Sequence, residues 1–172
     1  HVELDQAKQI LYYENELQQK EDSLVFKKAL QTETDIRVAN AFKMLSFIYD
    51  SHKINGVMNA LSLKKDHKTS NALEMLEIII PGDIFRKMIF LLETSRRQGF
   101  KIKQKEINLQ DILKEVIQPG IYFFNSWTRA MAIALIGKIK DPALLAFLKN
   151  LKLEDTSFII EETRLDVIAN VK

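Results

Sequence analysis

Apolar residues recur at spacings of three and four along nearly the whole chain, the period of helices that bury one face. Leu4, Ile10, Leu11 and Leu17 lie on a Gln- and Glu-rich background and predict a first helix. A second piece runs from about Leu24 to Leu30. Thr32 or Thr34 is placed to cap a third, which holds Ile36, Ala39, Met44, Leu45, Phe47 and Ile48. The run SHKING at 51–56 reads as a break, and Val57, Leu61 and Leu63 mark a shorter helix. LKKDHKTSN at 63–71 reads as a polar connection before a helix over Asn71 to Ile80. Pro81-Gly82 and Pro119-Gly120 stop helices, since proline cannot continue one and glycine tolerates the turn. Asp83 is read as the N-cap of Ile84 to Glu93, and Leu109 to Ile117 forms a short amphipathic helix. No segment alternates with period two between turn dipeptides, so the pattern predicts an all-α protein.

The densest apolar stretch is SWTRAMAIALIGKIKDPALLAFLKNL, residues 126–151. From Trp127 to Ile139 only Thr128, Arg129, Gly137 and Lys138 are not apolar. A helix apolar on nearly every side must be covered on both sides. Asp141 then caps a following helix and Pro142 takes its first position, with Leu144, Phe147, Leu148 and Leu151 as one stripe. The unit is an inner helix, a tight turn and an outer helix. It recurs: NAFKML at 40–45 and NALEML at 71–76 agree at four of six positions, 31 residues apart. Ala41 with Leu45, Ala72 with Leu76 and Ala132 with Ile136 repeat a small residue one turn before a large one. Such hairpins leave a face uncovered until they stack.

The stretch WTRAMAIALIGKIKDPALLAFL resembles a HEAT repeat, through Arg129, Ala132, Ile136, Gly137 and the Asp141-Pro142 pair that opens the second helix. TSFIIEETRLDVIANV resembles the first helix of a following unit. The units at 34–63 and 69–94 lack the Gly and the Asp-Pro and match loosely. The resemblance implies an α-α superhelix of the HEAT/armadillo kind, a right-handed stack of antiparallel helix pairs. It also implies that Arg129 braces the turn of an adjacent repeat through a carboxylate. NALEMLE followed by SWTRAMAIALIGKI further resembles the soluble helical-repeat part of bacterial membrane proteins related to ATP/ADP translocases. No nucleotide or transport residue is carried over from it.

The 172 residues suffice for one domain with a sizeable core. Residues 1–31 read as N-terminal capping helices, 32–94 as two degenerate repeats, 95–107 as a basic loop, and 108–172 as a short helix with HEAT-like repeats. With no cysteine, disulfides and thiolate chemistry are excluded. No apolar run reaches the roughly 18 residues of a membrane span, and the polar start shows no signal peptide. The first residue is His1 rather than Met, which we read as the mark of a fragment of a larger protein. The expected location is the cytoplasm, either free or as part of a membrane protein. The formal charge of +2 divides into −4 over 1–36, +9 over 37–152 and −3 over 153–172. A basic centre attracts anionic partners, although solvated helix faces account for the same pattern.

Candidate chemistry is sparse. His1, His52 and His67 have no ligand at metal-site spacing, and neither a G-x-S-x-G elbow nor a phosphate-binding glycine loop can be written. Glu161-Glu162 diverge on a helix rather than converge as an acid/base pair. The expectation is a non-enzyme without cofactor or metal. The candidate contact is the segment carrying Arg96, Arg97, Phe100, Lys101, Lys103 and Lys105, an exposed basic loop with one aromatic residue. It suits phosphates, anionic headgroups or an acidic protein surface, and it also reads as a solvated connection. Trp127 reads as a core residue at a repeat boundary, with a base-stacking platform as the alternative. Arg129 reads as a structural brace, with an anion contact as the alternative. The expected function is a helical-repeat scaffold for protein–protein or interdomain contact. The alternative is a HEAT-like nucleic-acid binder or base-processing protein, whose affinity for duplex DNA would fall steeply with salt.

Overall fold

The computed structural model describes residues 1–17, 21–62, 66–96, 107–118, 124–152 and 157–170. Among them are nine α-helices, a single 3-10 turn (Glu21–Ser23) and no strand, so the chain is all-α. The helices are α1 (Val2–Glu16), α2 (Leu24–Ile48), α3 (Ser51–Ser62), α4 (Asp66–Ile79), α5 (Gly82–Arg96), α6 (Leu109–Ile117), α7 (Ser126–Ile139), α8 (Pro142–Asn150) and α9 (Phe158–Asn170). The chain divides into two compact units. Unit 1 comprises 1–11 and 34–100, and unit 2 comprises 12–33 and 101–172.

In unit 1, α3 buries Ile54, Val57 and Leu61, and α4 buries Ala72 and Leu76, with Ile80 just beyond its end. The two helices pack on one another and only three residues separate them, which makes them antiparallel neighbours. Met88 and Leu91 of α5 complete that side of the core. The start of α1 is fixed by charge as well as by Leu4, Ala7 and Ile10. Arg37 of α2, itself buried, reaches Glu3 at 3.1 Å and donates to Gln6. Lys87 of α5 lies 2.7 and 2.8 Å from the two carboxylate oxygens of Asp5. Lys8 stands 5.4 Å over the ring of Phe90.

Several boundaries differ from the sequence expectation. No break separates Leu30 from Ile36: α2 runs through. The Thr32 hydroxyl donates to the carbonyl of Lys28 at 3.0 Å, one turn back, and Thr34 is buried, so neither caps a helix. SHKING is not a break either. The break falls at Tyr49-Asp50, where Asp50 Oδ1 accepts from the amides of His52 at 3.0 Å and Lys53 at 3.2 Å. Gly56 sits on an open helix surface, where it interrupts nothing. The polar connection at 63–71 is shorter than expected, because α4 already begins at Asp66. At α5 the amide of Phe85 bonds the Pro81 carbonyl at 2.9 Å. This places Asp83 inside the first turn rather than at the cap, where its charge still favours the helix dipole.

Unit 2 is built around α7. Asn125 caps it, accepting from the Thr128 amide at 2.8 Å, and the Asn125 amide donates at 2.6 Å to the buried Glu33. Thr128, Ala130, Ala132, Ile133, Leu135 and Ile136 are buried, with α6 packing on α7 and α9 packing most extensively. The expectation of a helix covered on both sides holds, with one correction. Trp127 is 51% exposed and is no core residue. It stands in the first turn, ahead of the buried run. Asp141 and Pro142 open α8 as expected: Asp141 Oδ1 accepts from the amides of Ala143 and Leu144 at 2.9 and 3.0 Å. Its other oxygen accepts from Gln110 of α6 at 2.9 Å. Between α7 and α8, Lys140 adopts the left-handed conformation at φ 56°, a position that favours glycine.

Gly137 is kept for packing. A β-carbon there would come within 2.9 Å of Val167 Cγ2 on α9, closer than such atoms approach. Alanine at 137 gains about 1 kcal/mol in helix propensity but overpacks a buried contact at a cost of about 1–3 kcal/mol. Gly137→Ala is therefore expected to lower the midpoint of urea unfolding, whereas in a Val167→Ala background the same change raises it. Additive effects in that double-mutant cycle would contradict the close approach. Thr128 is fully buried and its hydroxyl has no hydrogen-bond partner among the described residues. The isosteric Thr128→Val removes an unsatisfied group worth about 1–3 kcal/mol of desolvation, so thermal unfolding shifts upwards. A downward shift would show that the hydroxyl is satisfied in solution.

Candidate functional site

The sequence singled out the basic segment first. Arg96 is the last residue of α5, and Arg97, Phe100, Lys101, Lys103 and Lys105 lie outside the described residues. The six structural positions fall on α7 and the turn after it. Ala132 and Ile136 are buried, Gly137 faces Val167, and Asp141 with Pro142 starts α8.

Arg129 meets a main-chain carbonyl. Its Nη2 donates at 3.0 Å to the carbonyl of Ile117, the last residue of α6. The last carbonyls of a helix lack partners within it and carry the negative end of its dipole, so a guanidinium is well placed there. Unit 2 repeats the device. Arg164 of α9 donates through Nη1 at 2.9 Å to the carbonyl of Leu148, in the last turn of α8. Arg164 also pairs through Nε and Nη2 with both oxygens of Glu161, at 3.0 and 2.9 Å. Each arginine belongs to a helix that packs beside the one it closes. Sequence reasoning missed Arg164. Its signal was the i, i+3 pair with Glu161 in a helix already expected to begin a unit.

Two part-buried polar links were also missed, because both join residues far apart in sequence. Glu33 accepts from the Asn125 amide, and Tyr13 donates to the Glu115 carboxylate while its ring stacks on Phe124 at 6.4 Å. These anchor α1 and α2 residues of unit 2 to α6 and to the start of α7. Among the described residues no three His, Asp or Glu side chains gather where a metal ion could be held. Among the same residues no helix is long and apolar enough to cross a membrane.

The surface feature that stands out is apolar. The sequence places Ile36, Ala39, Met44, Leu45, Phe47 and Ile48 on one helix. Toward the end of α2, Ala41, Phe42 and Leu45 are buried, while Phe47 and Ile48 are 78% and 71% exposed. Ile36 and Met44 are exposed with them. In α4, Met75 is exposed and Ile78 is 86% exposed. Because only two residues separate α3 from α2 and α4 runs back along α3, the last turn of α4 returns to the end of unit 1 where α2 terminates. Phe47, Ile48 and Ile78 thus stand at one end of the unit. Single exposed hydrophobics are ordinary, whereas these are several, large and close to helix ends.

No family model, no curated protein and no solved structure matches the chain.

The Glu161–Arg164 pair gives a pH test. Hydrogen bonding to Arg164 holds the Glu161 carboxyl below its usual value, and the same bond raises Arg164. A lowered carboxylate pKa stabilises the fold above the unfolded-state value, and this contribution is lost as pH falls through the folded value. The pair is partly exposed, so a few tenths of a kcal/mol is expected. Between about pH 5 and pH 3, the stability gap between the native chain and Glu161→Gln should close. A gap that stays constant over that range would rule out the pair as its source.

Proposed function

We propose that the protein is a non-catalytic helical-repeat scaffold that holds another protein, or another domain of its own parent chain, on an exposed apolar surface. The observation that carries this is the end of unit 1, where Phe47, Ile48 and Ile78 are more than two-thirds exposed. A monomer gains nothing from hydrating such side chains, each of which is worth about 1.5–3 kcal/mol when buried. A covering partner recovers that energy.

The architecture we infer is a stack of antiparallel helix pairs with the right-handed superhelix of the HEAT kind. Support comes from the three small-then-large pairs, all buried: Ala41 with Leu45, Ala72 with Leu76, and Ala132 with Ile136. Further support is the recurrence of an arginine that closes a neighbouring helix at Arg129 and Arg164. The resemblance to the soluble part of translocase-related membrane proteins supports the interdomain version. In that version the chain is the cytoplasmic, helical part of a larger protein, and its partner is the remainder of that protein.

Photo-crosslinking tests the reading. With a photoreactive residue at position 47 or 78 of the parent protein in its native cells, a discrete adduct to one chain or domain is expected. A control at the exposed Lys149 on α8 should give none, and Phe47→Glu should abolish the adduct formed from position 78. Diffuse labelling equal to the control would overturn the proposal. The nucleic-acid alternative rests on the basic segment 96–105. Fluorescence anisotropy with a duplex of about 20 base pairs is expected to show no binding at low salt, and salt-sensitive binding would favour that alternative.

A further inference from the structure

We draw no further inference here: the strongest candidate, the exposed apolar end of unit 1 formed by Met44, Phe47, Ile48 and Ile78, already carries the proposed function, and nothing in the structure shows what covers it.

Discussion

Unit 2 depends on how close α9 can come to α7. A helix with apolar residues all round has no stable place at a surface, so α7 must be packed from more than one side. Gly137 sets the distance on the α9 side, where Val167 occupies the space a β-carbon would take. Val167 is β-branched and buried, so its methyl groups have little freedom to move aside. The same short stretch needs a left-handed residue three positions later, and that position falls to Lys140. Glycine is thus placed where backbone approach matters more than turn conformation. The strain at Lys140 is held by the hydrogen bond its amide donates to the Ile136 carbonyl and by the Asp141 cap that follows.

Polar groups in this unit close helix ends and thereby fix register. Asp141 caps α8 with one oxygen and holds Gln110 of α6 with the other. Arg129 occupies the end of α6 and Arg164 the end of α8. An apolar helix face alone lets neighbours slide by a turn at modest cost, because one Ile or Leu substitutes for another in a groove. A guanidinium bonded to one particular carbonyl does not tolerate that shift, since moving by a turn leaves a part-buried charge without its acceptor.

What the sequence made legible follows from the range of the interactions involved. Asp141-Pro142 and the amphipathic run Leu109–Ile117 were read correctly because cap and stripe are written within a few residues. The breaks expected at Thr32, Thr34 and SHKING were not real. Polar residues there looked like punctuation, yet the chain contains no proline at those points and Asp50 supplies the actual cap. Trp127 was misplaced because size suggested burial, while its position in the first turn of α7 leaves it outside the covered run. Glu33 with Asn125 and Tyr13 with Glu115 were invisible, being pairs 92 and 102 residues apart. Of the basic segment, the main functional candidate from sequence, Arg96 closes α5 and residues 97–106 lie outside the described residues.

The internal repeat adds an argument that neither burial nor sequence makes separately. In NAFKML and NALEML, the shared Ala and Leu are buried in both copies, and the shared Met is exposed in both. Burial explains the Ala and the Leu: each helix turns them into its own core. It does not explain Met44 and Met75, because a polar residue would serve a solvated helix face at least as well. Methionine is flexible and polarizable, and it adapts to irregular apolar surfaces. It stands at the matching exposed position in both helices, about one turn from Phe47 and Ile48 in α2 and from Ile78 in α4, in keeping with the proposed covered surface. The outward face of this repeat therefore carries a pattern of its own, separate from the pattern that folds it.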